Sequence, residues 1–352
     1  MKIQFVLPPN YNQPVGGYKV VFQYANWLSK RGHDVHIYFM RLREPFGKSQ
    51  IRWFKRLVFG QNNPVEKITW FDINPNISLH YNVGYQVVEG INDGVIIATF
   101  WKTAISVYKS KTLSKNKFYF IQGFEVFSTS KENIFKTWHY PLKKIVVSNW
   151  LLEKVSKINE KATLIPNFID SLDFYEVTEK IEVPTVSMLW HDNPKKGSLV
   201  GLRILKNIKK YVPELQAIFF GKGTPPENLP KWIKYYKNAN ESTLRNDIYG
   251  KSQVYLMPSE FEGWGLTAME SMAVGTPVVC FENGGIRNFS DDSSAIIVPV
   301  GDIALMETEL AKLLRDQKRR RVLRNNSLEK LKAYTIDVSG FKMEKTLTKL
   351  DV

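Results

Sequence analysis

Cysteine is almost absent. The 352 residues contain one, Cys280, so no disulfide can close within the chain. A single thiol in the apolar run Val278 to Phe281 reads as a buried structural residue and fits a reducing compartment. Long apolar runs are missing as well. The opening MKIQFVLPPN is too short for a secretory signal, and no segment reaches the roughly 20 apolar residues needed to span a bilayer. The expectation is a cytoplasmic protein. Acidic residues are in short supply, 34 Asp and Glu against 49 Lys and Arg, which leaves a formal net charge of +15. Such an excess fits nucleic acid, an anionic membrane surface or acidic small ligands. The chain has no zinc-finger spacing, helix-turn-helix signature or RNA-binding aromatic motif, so nucleic acid is not an expected partner. It also has no Asp-x-Asp pair to hold a divalent metal.

What is present is an ordinary globular composition, 43% hydrophobic and 24% charged, over a length that suggests two domains. The most informative stretch is Pro258 to Val279, PSEFEGWGLTAMESMAVGTPVV. Glu262 and Glu270 flank a turn, Glu262-Gly263-Trp264-Gly265-Leu266, and a helix is expected to open at Thr267. Two glycines let the backbone approach a ligand without hindrance from a Cβ. The helix that follows aims unpaired N–H groups and the positive end of its dipole over that turn, which suits a phosphate. A carboxylate one turn into the helix would repel phosphate, so Glu270 suits a vicinal diol such as ribose. The same residues have a structural reading. Thr267-Ala-Met-Glu270 fits a capping box, and Gly275 with Pro277 an ordinary helix stop. Spacing leaves both open.

The segment resembles the signature of retaining, nucleotide-sugar-dependent glycosyltransferases of family 4: two Glu separated by seven residues, then a helix of small residues ending in Gly-Thr-Pro. That resemblance implies an α/β chain of the GT-B fold, with two Rossmann-like domains facing across a cleft. It implies transfer of a sugar from a nucleoside-diphosphate sugar, of the UDP-hexose or dTDP-rhamnose class, to a hydroxyl of a glycan or lipid-linked acceptor. Glu270 would hold the ribose diol, Glu262 the sugar, and the N–H groups of Gly265, Leu266 and Thr267 the distal phosphate. In the family an Arg, and five residues on a Lys-Gly, bind the diphosphate. Here Lys196-Gly197 matches the second, while His191 stands at the Arg position. A histidine beside phosphates tends to be protonated, and it supplies charge without a bidentate fork. A Gly-Gly turn at Gly284-Gly285 also matches, with Asn288 where the family usually has Glu. Gly16-Gly17 would lie across the cleft from the donor phosphates. Gln122 and Glu125 resemble, faintly, an acceptor-side or sugar-side loop of bacterial rhamnosyltransferases. The family's usual independence of metal implies no metal or other cofactor. Two other functions share the fold, a nucleotide-sugar epimerase and a non-catalytic nucleotide-binding partner protein.

Periodicity gives the frame. MKIQFVL reads as a strand, Tyr18 to Lys30 as an amphipathic helix and HDVHIYF as a second strand. This is a Rossmann-like beginning without the three-glycine dinucleotide fingerprint. Gln122 and Glu125 follow the strand KFYFI at its carboxyl end, where α/β sheets place ligands. In residues 41–67, Arg41, Arg43, Lys48, Arg52, Lys55, Arg56 and Lys67 stand against Glu44 and Glu66. Around 49–60 apolar residues share a helical face. The pattern fits a helix lying on anionic lipid, at the inner face of a membrane, or a helix packed on its own domain with a solvated basic face. The first domain is expected over 1–170 and the second over 183–334, joined by a polar linker. One long basic helix is expected from about Ile303 to Ala333, with the residues from about 335 to 352 returning to the first domain.

Overall fold

The computed structural model describes residues 1–41, 65–178, 182–223, 225–226 and 228–348, so the basic 49–60 segment lies outside the described residues. The chain forms two compact units, Met1–Ile165 with Gly340–Val352, and Pro166–Ser339.

The first unit is built on seven parallel strands: β1 (Lys2–Leu7), β2 (Asp34–Met40), β3 (Ser78–Val83), β4 (Val95–Ala98), β5 (Lys117–Ile121), β6 (Lys143–Val146) and β7 (Ala162–Leu164). Their order is β3-β2-β1-β4-β5-β6-β7. The central strands are buried on both faces, as helices on either side of a parallel sheet require, and so read as mostly apolar runs. Helix α1 (Gly16–Lys30) follows β1. The edge strand β3 carries His80 and Asn82 and is only partly buried, so its sequence, SLHYNV, alternates polar with apolar residues where the central strands are mostly apolar. The short helix Tyr85–Gly90 and the three-residue β7 are too short to show a periodic signal.

The second unit repeats the plan with six parallel strands: β8 (Thr185–Leu189), β9 (Gln216–Gly221), β10 (Ile233–Lys237), β11 (Val254–Met257), β12 (Val278–Phe281) and β13 (Ile296–Val298). Their order, β10-β9-β8-β11-β12-β13, is the doubly wound Rossmann order. Its direction reverses between β8 and β11, the place where such sheets open a crevice at their carboxyl edge. Ile204, Leu205 and Ile208 of the helix Ser198–Lys209 pack on this sheet, as do Met306, Leu310 and Leu313 of the helix Ile303–Arg315.

Three local expectations need correction. The long basic helix is two helices, Ile303–Arg315 and Gln317–Leu331, because Asp316 leaves helical geometry and its side chain caps the second by accepting from Arg319 N at 2.8 Å. The helix expected at Thr267 spans Leu266–Ala273, with Gly265 as its N-cap at φ +99° and no side-chain cap, so the capping box does not form. The first unit ends at Ile165 rather than 170, since Ile169 N bonds Tyr334 O at 3.0 Å and Ile169 bridges Thr335, tying that stretch to the second unit. In the first unit, Phe341 meets Trp27 edge-to-face, and Glu344 accepts from Arg31 Nε at 2.9 Å and pairs with His33 Nε2 at 2.8 Å.

Candidate functional site

Two loops meet at the carboxyl edge of the second sheet. The first leaves β8 through Trp190 and runs from His191 to Gly197. Ser198 Oγ closes it, accepting from His191 N at 2.8 Å and donating to His191 O at 3.0 Å. Within it Asn193 Oδ1 accepts from Lys195 N at 3.0 Å, and a single tight turn, Pro194–Lys196, presents Lys196. Gly197 lies at φ +69°, and a Cβ there would stand 2.0 Å from Pro258 O. Only glycine allows the β8 loop to lie against the chain leaving β11.

The second loop is that chain, Pro258 to Gly265. Glu260 N donates to Lys195 O at 2.9 Å and Glu262 N to Asn283 O at 3.0 Å, so the loop is tied at two points around Glu262. Trp264 is buried, its ring stacked on Phe289 at 5.3 Å and its Nε1 donating to Met269 Sδ at 3.1 Å. That anchor fixes the turn between the two glycines. Gly285 passes so close that a Cβ would stand 2.3 Å from Trp264 O. Asn288 Nδ2 donates to Gly284 O at 3.1 Å and Gly285 O at 2.7 Å, a structural stitch for the Gly-Gly turn.

These loops bring together residues distant in sequence. Lys196 Nζ donates to both oxygens of Glu262 at 2.8 Å, the lysine 26% and the glutamate 12% exposed. His191 Nδ1 accepts from Asn193 N at 2.9 Å, which assigns the proton of the neutral ring to Nε2. Crowding by the protein, then the charges of Lys196 and Lys222, hold the His191 pKa below its ordinary value. The ring is therefore uncharged at neutral pH. Gly265, Leu266 and Thr267 lie at the start of Leu266–Ala273, where the first N–H groups of any helix lack an intrahelical acceptor. Glu270 is buried one turn in, its Oε2 accepting from Tyr249 Oη at 3.2 Å. Tyr249 ends the π-helical segment Leu244–Tyr249, a partner that sequence spacing gave no way to foresee.

The candidate residues of the first unit have a different setting. Gly16 and Gly17 open α1, and Gln122 Nε2 donates to Gly17 O at 3.0 Å, so the glycine loop and the end of β5 do meet. Glu125 is buried. It accepts from Trp101 N at 2.9 Å, under the start of the helix Trp101–Lys109, and from Tyr119 Oη at 3.4 Å. Burial pushes its pKa up to about 8, against the two hydrogen bonds. Among the described residues, no three His, Cys, Asp or Glu gather as a metal site, and no helix is long and apolar enough to cross a membrane.

Comparison with known proteins bears on this site. Residues 178–330 match the family described as Glycosyl transferases group 1. A sulfoquinovosyl transferase of Arabidopsis thaliana is 30% identical over 141 residues, 38% of this chain and 28% of that protein. A phosphatidyl-myo-inositol mannosyltransferase of Mycolicibacterium smegmatis is 26% identical over 359 aligned positions, 91% of this chain and 86% of that protein. The TarM protein of S. aureus, solved with fondaparinux, alpha-GlcNAc-glycerol and UDP, superposes with a TM-score of 0.75 at 11% identity, over 99% of this chain and 100% of that one. The fold is GT-B, and the second unit is a glycosyltransferase domain.

Proposed function

We propose that this protein is a retaining glycosyltransferase, similar to family 4, that moves a sugar from a nucleoside-diphosphate sugar of the UDP-hexose or dTDP-rhamnose class to a hydroxyl of a glycan or lipid-linked acceptor. The observation that carries this reading is the Lys196–Glu262 pair, set at the switch point of a doubly wound sheet beside a glycine-flanked helix N-terminus. Lys196 and His191 would hold the diphosphate, with the Gly265, Leu266 and Thr267 N–H groups on the distal phosphate. Glu270, braced by Tyr249, would accept hydrogen bonds from the ribose diol. Glu262 would hydrogen-bond the sugar once Lys196 shifts to phosphate. The names of the relatives, one a phosphatidyl-myo-inositol mannosyltransferase, support a lipid-linked acceptor, and the basic, aromatic sequence of 49–60 suits contact with anionic lipid.

The chemistry asked of these groups is electrostatic. As the bond from the anomeric carbon to the diphosphate oxygen breaks, negative charge grows on that oxygen. Preorganised donors around it lower the barrier, each worth about 3 kcal/mol in sites of this kind. The departing oxygen takes the proton of the acceptor hydroxyl, so no protein nucleophile, metal or cofactor is assigned a step. The test is release of nucleoside diphosphate from UDP-glucose, UDP-galactose, UDP-N-acetylglucosamine and dTDP-rhamnose, with the anomeric configuration of the product read by NMR. Turnover of one donor with retained configuration is the expected result. Tight binding without turnover of any donor, with or without lipid extract as acceptor, would point to a non-catalytic binding protein instead. A changed sugar on the same nucleotide, formed without acceptor, would point to an epimerase.

A further inference from the structure

We infer that Lys222 is a second cation of the diphosphate site, beside Lys196, contributed by the loop after β9. The assignment rests on the donor-binding reading above and deepens it. β8 and β9 run side by side, with Leu189 opposite Phe220 and Trp190 N donating to Phe220 O at 2.7 Å. The strands therefore end together, and Lys222 leaves one as His191 leaves the other. The ends pack closely, and Gly221 is where only a glycine fits. A Cβ at Gly221 would stand 2.3 Å from Trp190 O, and one at Gly223 3.4 Å from the Asp192 carboxylate. Tyr235 Oη on β10 donates to Gly223 O at 2.8 Å from the other side. The backbone at Lys222 is thus fixed against the His191 loop.

The side chain is half-buried. Other lysines in such settings have partners: Lys196 has Glu262, and Lys117 and Lys144 each reach two backbone carbonyls. Among the described residues Lys222 has neither a hydrogen bond nor an ion pair. Burying an ammonium without a partner is costly, and burial alone pushes its pKa down to about 8. An anion entering beside His191 would supply the missing partner. The diphosphate of the donor is the anion this site is read to hold.

The titratable groups around this loop are His191, on which the Lys222 charge acts together with Lys196, Asp192 and Glu262, and Tyr235, which donates to Gly223 O. His191 is held below its ordinary pKa and Tyr235 above its own, both through burial first, so neither changes charge near pH 8. An anion-binding Lys222 then predicts that nucleoside diphosphate affinity falls as pH rises through about 8. The full chain is titrated calorimetrically with UDP, dTDP, GDP and ADP. The tightest of these and its parent nucleoside are then measured on wild type, Lys222→Gln and Lys222→Arg, at about pH 7 and about pH 9.5, either side of the shifted pKa. Lys222→Gln is expected to weaken the diphosphate about tenfold or more and leave the nucleoside unchanged, the loss of one charged contact. Lys222→Arg is expected to retain affinity and lose the alkaline fall. Equal diphosphate affinity in wild type and Lys222→Gln, or an equal loss for the nucleoside, overturns the assignment while leaving the donor reading intact. No binding of any nucleoside diphosphate to wild type overturns the donor reading, and this assignment with it.

Discussion

In each unit a central parallel strand ends in a glycine-bearing loop that opens a helix: Leu7 leads to Gly16 in the first, Met257 to Leu266 in the second. The first unit lines that edge with a neutral amide, Gln122, and tucks its nearby carboxyl, Glu125, beneath a helix. The second puts His191, Lys196, Lys222 and Glu262 at the edge, with one cation on a carboxylate and another without a partner among the described residues. Strand order alone would treat the two edges alike. Side-chain charge separates the two, a cation-rich edge that suits an anion from one held by an amide and a buried carboxyl.

The contrast can be broken most forcefully at Glu125. Its folded pKa of about 8 lies above the ordinary 4.5, so the folded state binds a proton that the unfolded state releases between those values. Its contribution to stability is complete below about pH 4.5 and is lost as pH rises through about 8, by up to roughly 4–5 kcal/mol. Urea denaturation of wild type and Glu125→Gln at several pH values checks this. The variant should lose that slope, and an unchanged slope would mean that Glu125 is ionised like a surface carboxylate.

Glycine substitutions sharpen the same comparison with opposite signs. Gly197→Ala forces a Cβ to within 2.0 Å of a backbone oxygen at positive φ, and about 3 kcal/mol of destabilisation is expected. At Gly17 a Cβ would meet Gln122 Nε2 at 3.5 Å, ordinary contact, in the first turn of a helix. Gly17→Ala should be neutral or stabilising by up to about 1 kcal/mol. Denaturant midpoints decide both.

A subtler effect is expected from Glu262→Gln. With the carboxylate charge gone, Lys196 is released, so nucleoside diphosphate should bind about threefold to tenfold tighter. Sugar transfer should fall on the order of 100-fold, about 2.7 kcal/mol of lost transition-state stabilisation. Parallel loss of both affinity and rate would mean that the pair is structural.

Much of the frame was legible because parallel strands covered on both faces are mostly apolar, as in MKIQFVL and PTVSMLW, and because helices between them keep one apolar stripe. The turn at Gly263 and Gly265 was legible for the same kind of reason, a local backbone demand. What escaped depended on distance or on competition. The Lys196–Glu262 and Tyr249–Glu270 contacts join residues that no local pattern pairs. Lys222 looks like any lysine of a basic chain until its burial is seen. Asp316 reads as one polar residue inside a helical pattern, yet its cap divides the helix. Glu125 follows a legible strand, but neither its burial nor its hydrogen bond from Trp101 N, 24 residues away, follows from any local pattern.

On the proposed reading the charged edge of the second unit binds a nucleoside diphosphate with Glu270 on the ribose. Thermal unfolding of wild type and Glu270→Gln with UDP, dTDP, GDP, ADP and NAD tests it directly. A ligand at about 100 times its dissociation constant stabilises the native state by roughly 2.7 kcal/mol. Such a shift is expected for at least one nucleoside diphosphate and not for NAD, and it should be lost in a folded Glu270→Gln variant. A folded wild-type protein that none of the nucleoside diphosphates stabilises would contradict it.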